Sequence, residues 1–234
     1  MFNKRRCKIF PVLFFIIAGL LSPWGKAEEK VSAEEVSSPI VDEIWLVFRD
    51  EPFGYFLDAR ECFLKGDLED AALNIRKGAA IIKLEIPRST GEEKKDLMFY
   101  SNRLKKLAKA VEKGSLFTGA DLEDAFARTE FALVRHHYQK AMEYEAKKDF
   151  EKSAYATDVA AEHFLAAAFW LDEKMEKVDV ASVRESRSLA RKVIDGATWG
   201  PKKLGGAMKS LGQGIKNLKL KLGPAKEWEE EQQF

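Results

Sequence analysis

This sequence predicts an all-α fold, on three observations. Apolar residues recur at helical spacing from about residue 42 onward, no stretch alternates polar and apolar residues for the length of a strand, and start and stop signals bracket each periodic segment. The expected architecture is a bundle of about six helices built from two related antiparallel hairpins, followed by a C-terminal basic amphipathic helix. The expected organisation is a leader over 1–27, a polar stretch over 28–41, a helical domain over 42–197, an amphipathic segment over 198–226 and an acidic tail over 227–234.

The first helix is expected from about Asp42 to Lys65, with Phe56, Ala59 and Phe63 on one face and Pro52 as a break point. Gly66-Asp67 supplies a glycine after its end and a cap for the next helix. The second carries Leu68, Ala72, Ile75, Ala79 and Ile82 at 4-3 spacing and stops before Pro87. Thr90 and Glu93 form a capping-box pattern for a third, whose seam is Leu97, Ser101, Leu104, Ala108 and Val111. Phe117 and Leu122 flank an N-cap Thr118 as a hydrophobic staple for the fourth, which runs to about Lys147. That helix is apolar over a wide arc (Phe126, Phe131, Leu133, Val134, Tyr138, Met142, Tyr144), which predicts a central position. Asp149 caps the fifth, with a seam from Phe150 and Ala154 to Leu171 and Met175, and Asp179 starts a sixth that ends near Gly196.

An internal repeat appears at an offset of 82 residues. Ala59, Glu61, Lys65, Asp67, Glu69, Ala72 and Ala79 recur as Ala141, Glu143, Lys147, Asp149, Glu151, Ala154 and Ala161. Small residues let two antiparallel helices approach closely, and an Asp at the turn caps the second of them. The first copy resembles a tetratricopeptide-type hairpin at Ala59, Gly66, Leu68, Ala71, Ile75 and Gly78. The second matches at Ala141, Tyr144, Phe150 and Ala160, with Lys148 in place of the turn glycine and Ser153 in place of an alanine. The stretch from Asp58-Ala59-Arg60 through Gly66-Asp67 to Ala79-Ala80 also resembles, more loosely, the YfdX group of bacterial periplasmic helical proteins. The resemblance implies helical-hairpin packing and a partner-binding rather than catalytic role, and the offset does not follow the roughly 34-residue period of regular tetratricopeptide arrays.

The N-terminus has the layout of a secretory signal peptide: basic Lys4-Arg5-Arg6-Cys7-Lys8, an apolar run from Ile9 to Leu21, and small residues placed for cleavage after Ala27. The apolar run is shorter than the roughly 20 residues that span a bilayer. A periplasmic or secreted location is therefore expected. Residues 1–27 hold five of the 39 Lys and Arg and none of the 38 Asp and Glu, which leaves 34 against 38 and a net charge of −4. Such a balance excludes a nucleic-acid partner, which requires a basic footprint. Cys7 departs with the leader, and Cys62 between Ala59 and Phe63 reads as a buried small hydrophobe.

The chain contains three histidines. His136 and His137 stand about 100° apart on a helix, so facing one metal together requires help from elsewhere. If the fourth and fifth helices are antiparallel about Asp149, His137 lies near Ala161 and Glu162. The candidate metal ligands are then His137, Glu130 and Glu162, with Asp158 close by; a di-iron Glu-x-x-His pair is lacking. No nucleophile motif or phosphate loop is present, and no cofactor is implied. In the C-terminal segment Leu204, Met208, Leu211, Ile215, Leu218 and Leu222 form a stripe, backed by Lys202, Lys203, Lys209, Lys216, Lys219 and Lys221. That stripe is expected to dock on the domain, on a partner protein, or on a membrane surface. The leading expectation is a non-catalytic exported module that binds a protein or peptide; the alternative is a bundle that binds a metal or small ligand.

Overall fold

Seven α-helices run through the described residues of the computed structural model: α1 Glu51–Leu64, α2 Leu68–Glu85, α3 Gly91–Glu112, α4 Gly119–Ala146, α5 Phe150–Leu171, α6 Lys177–Ile194 and α7 Gly200–Leu222. A short 3₁₀ turn, Ile86–Arg88, links α2 to α3. The structure describes residues 51–115, 118–171, 177–196 and 200–224, all within one compact unit, and among them there is no strand. No helix among them is long and apolar enough to cross a membrane. The leader, the polar stretch, the start of the first helix, Phe117 of the expected staple, Met175 and the acidic tail lie outside the described residues.

The two turns related by the 82-residue offset match bond for bond. After α1, the amide of Asp67 donates to Cys62 O at 2.9 Å and that of Gly66 to Phe63 O at 3.0 Å. After α4, Asp149 donates to Tyr144 O at 2.9 Å and Lys148 to Glu145 O at 2.9 Å. This pair of bonds requires a left-handed residue just past the helix. Gly66 fills that position at φ +81°, and Lys148 fills its counterpart at φ 60°. Glycine accepts this conformation freely, whereas a lysine in it is strained by its Cβ. The expected caps are made unevenly. Asp149 accepts from the amide of Lys152 at 3.2 Å, but Asp67 occupies the cap position of α2 without a side-chain bond. Thr90 likewise makes no side-chain cap, and the Glu93 carboxylate pairs with Arg135 of α4. The capping box that does form is Thr118 with Asp121. Asp179 lies inside the first turn of α6, where its carboxylate accepts from Asn217 of α7 at 2.9 Å rather than starting the helix.

α1 packs on α2 and α2 on α3, while α4 packs along α5. α3 and α1 reach the rest of the protein through α4, and α6 and α7 lie against α5. The buried seams of α2 and α3 are those the spacing predicts: Ala72, Ile75, Ala79 and Ile82 against Leu97, Ser101, Leu104, Ala108 and Val111. Close approach is visible where Ser101 Oγ donates to Ala79 O at 3.2 Å and Ser153 Oγ to Ala141 O at 2.9 Å. α5 goes further than a single seam, with 15 of its 22 residues buried. Met142, expected in the wide apolar arc of α4, is instead exposed.

The C-terminal stripe is turned inward. Leu204, Met208, Leu211 and Leu218 are buried and Ile215 is half-buried, packed with residues of α4, α5 and α6. These side chains, expected as contacts for a partner or a membrane, form part of the domain's own core, while Lys203, Lys209 and Lys216 remain exposed. The glycines of α7 make that seat possible: a Cβ at Gly212 would lie 2.5 Å from the Tyr138 hydroxyl, and one at Gly214 would lie 3.1 Å from Val183. Arg128, buried on α4, closes the end of α7 by donating to the carbonyls of Leu222 (2.6 Å), Gly223 (3.1 Å) and Pro224 (3.0 Å). A cation at a helix C-terminus is favoured by the exposed carbonyl dipoles there.

Two substitutions separate packing from backbone strain. A Cβ at Gly78 would meet the Phe56 ring at 2.4 Å, and that ring is fully buried and stacked on Phe126 at 4.4 Å. Gly78→Ala is therefore expected to destabilise the protein by about 1–3 kcal/mol. Lys148→Gly relieves a left-handed lysine and is expected to stabilise it by about 1 kcal/mol. Urea unfolding of the two variants checks both signs.

Candidate metal centre

All three histidines of the chain meet two glutamates in the interior, on three helices. Glu85 is the last residue of α2 and continues the line of Ala71 and Gly78, buried at seven-residue spacing beside the Ala72, Ile75, Ala79 and Ile82 stripe. It is buried because that face of the helix is buried. Glu130, His136 and His137 come from α4, and His163 comes from α5. Glu130 is fully buried, Glu85 is 5 % exposed and His136 and His163 are 3 % and 4 % exposed. Carboxylates and imidazoles reach this depth only when something balances them.

The balance is made within the group. His163 Nδ1 and Glu130 Oε2 are 2.7 Å apart. His136 Nε2 lies 3.3 Å from Glu85 Oε2, and His137 Nε2 lies 3.9 Å from Glu85 Oε1. The His137 ring stacks on that of His163, 5.3 Å between centroids and 9° from parallel, and meets His136 edge-on at 4.8 Å. Arg88 flanks Glu85 at 3.9 Å. The ligand atoms of Glu85, His136 and His137 all lie within 4.8 Å of one another. Glu130 Oε1 is buried with no hydrogen-bond partner among the described residues.

Two imidazoles are driven in opposite directions. Burial holds His137 well below the ordinary histidine value, and the neighbouring His136, His163, Arg88 and Lys140 push the same way. Burial also opposes charge on His163, but the hydrogen bond and negative charge of Glu130, aided by Glu162 and Glu85, outweigh it and raise its pKa. His163 is thus biased toward the imidazolium form beside Glu130, and His137 toward a neutral imidazole with nitrogen lone-pair capacity.

The expected ligand set is divided. His137 and Glu130 lie in the cluster, but Glu130 is held by His163. Glu162 and Asp158 turn to α6, where Arg187 pairs with both, at 3.1 Å from Asp158, and Arg191 reaches Asp158 at 2.9 Å. Adjacent His136 and His137 do converge, because Glu85 from α2 supplies the third group between them. Sequence reasoning missed Glu85, His136 and His163 as members. The signal for Glu85 was a carboxylate seven residues past Gly78 and fourteen past Ala71, two small residues that flank the apolar stripe. The chain matches no family model, no curated protein and no solved structure.

The two shifts predict opposite pH slopes in protein kept metal-free with a chelator. His137 is neutral when folded and takes a proton when unfolded, so its contribution to stability is lost as pH falls below about 6.5. His163 binds its proton more tightly when folded, so its contribution is present below about 6.5 and lost as pH rises through its raised folded value. His137→Gln should lessen the acid-side loss of stability, whereas Glu130→Gln should cost more at about pH 5 than at about pH 8. Urea unfolding across that range reads both slopes.

Proposed function

We propose that this chain is an exported, non-catalytic helical protein that binds a divalent transition-metal ion between α2, α4 and α5, with His136, His137 and Glu85 as ligands. The observation that carries this reading is the convergence of every histidine in the sequence with Glu85 and Glu130 on one interior point. Two imidazoles and one carboxylate suit zinc and its neighbours rather than calcium or magnesium, which take oxygen ligands. Tetrahedral metal–ligand bonds of about 2.0–2.2 Å place ligand atoms about 3.3–3.6 Å apart. The widest separation in the set, 4.8 Å, therefore closes by about 1.2–1.5 Å on binding, through side-chain movement that includes His137, which retains 12 % side-chain exposure. Neutral His137 is already in the form that a metal needs. Export is supported by the N-terminal basic and apolar layout, and a non-catalytic role by the lack of a nucleophile motif in the sequence. The duplicated hairpin, with its two matching turns, is the scaffold on which this site is built.

A second reading, a module that docks a protein or peptide, rests on different residues. Leu73 and Leu84 of α2 and Met98 and Phe99 of α3 are large apolar side chains between 46 % and 54 % exposed.

Calorimetric titration with Zn²⁺ tests the first reading. One ion per chain is expected, and His136→Ala with His137→Ala should weaken it at least about a hundredfold, while Glu162→Gln leaves it unchanged. At a hundred times its dissociation constant the ion should add about 2.7 kcal/mol to the unfolding free energy. Absence of binding, or binding that survives loss of both histidines, would reject it. For the docking reading, a specific partner recovered from the native periplasm should be lost with Leu84→Glu and Phe99→Glu. Recovery of nothing specific by the unaltered chain would count against it.

A further inference from the structure

We infer that the outward face of α7 is a docking surface for an anionic phospholipid bilayer. With about 100° per residue, Lys202, Lys209, Lys216 and Leu220 fall within about 40° of a single line along this helix. Leu204, Leu211, Leu218 and Leu222 lie on the opposite side, in the core. The line is straight and spans about 27 Å between its ends at about 1.5 Å per residue. Each of its three lysines is exposed, and no carboxylate among the described residues pairs with them. Leu220, at the end of the line between Lys219 and Lys221, is 79 % exposed, more than any other large apolar side chain among the described residues.

Three features choose a bilayer over an acidic protein. Every basic residue from 197 to 226 is a lysine, and no acidic residue interrupts them. Lysine is a compact, strongly hydrated charge without the planar fork of arginine, suited to a diffuse surface potential, and it is depleted where proteins recognise one another. An exposed leucine in line with the lysines offers a shallow apolar contact at the headgroup boundary. The mode differs from that of a free amphipathic helix, because the apolar stripe is spent on the core. The helix adsorbs by its charged side while the domain stays folded behind it.

Fluorescence from a single probe at position 220 tests this on the full chain. Leu220→Cys, with Cys7→Ser and Cys62→Ala so that one thiol remains, is labelled with an environment-sensitive dye. It is mixed with vesicles of phosphatidylcholine alone or with about one-third phosphatidylglycerol. A blue shift with the anionic vesicles only, reversed by about 0.5 M salt, is expected. Lys202→Gln, Lys209→Gln and Lys216→Gln together should weaken the partition about a hundredfold without changing the thermal melt, since all three side chains are exposed. The triple variant separates this face from the leader, whose basic Lys4–Lys8 run and apolar stretch at Ile9–Leu21 it leaves unchanged. No shift with anionic vesicles, an equal shift with both, or full partition by the triple variant would overturn the proposal; the first of these would leave an acidic protein as the partner of this face.

Discussion

The structure depends on how it balances charge in its interior. Glu130 is fully buried at the middle of the α4–α5 contact, where an isolated carboxylate would be driven to give up its charge. His163, opposite it on α5, answers with a proton, and the pair ties the two central helices together at 2.7 Å. His137, stacked on His163, is held toward its neutral form first by its own burial and then by the charges of His136 and His163 beside it. The neutral ring and its neighbour His136 then turn to Glu85.

Around this cluster the helices are held by ordinary means. Small residues on facing helices permit hydroxyl-to-carbonyl bonds across α2–α3 and α4–α5. Arginines carry the inter-helix pairing at the periphery: Arg60 with Glu123, Arg135 with Asp96, and Arg187 with Asp158 and Glu162. The part-exposed pairs of Arg60 and Arg135 contribute little each, whereas the Asp158 carboxylate is buried and held by Arg187 and Arg191; the apolar seams carry most of the stability and the arginines settle orientation. α2 at Gly78 and α7 at Gly212 and Gly214 pack where a side chain would not fit.

Much of the fold was legible in the sequence. The seams of α2 and α3, the Gly66 and Lys148 turns and the central place of α4 all follow from spacing, because one buried face per helix is the assumption behind a periodic stripe. α5 breaks that assumption by being buried almost all round, so no seam on it singled out His163. Equal steps from the turn put His137 opposite Ala161, whereas the pairs Glu130–His163 and Ala141–Ser153 place the register several residues away. Register depends on how side chains interlock, which a count from the turn does not contain. For the C-terminal helix the stripe was visible and its destination was not, since amphipathicity says that a face is buried but not against what.

Nitrogen-15 NMR of the three histidine side chains near neutral pH, before and after adding Zn²⁺, tests the central claim most directly. The account predicts three distinct rings: His163 protonated on both nitrogens, His137 neutral, and both His136 and His137 shifting at a nitrogen when zinc is added. Three histidines that titrate independently around the ordinary value of about 6.5, untouched by zinc, would contradict it.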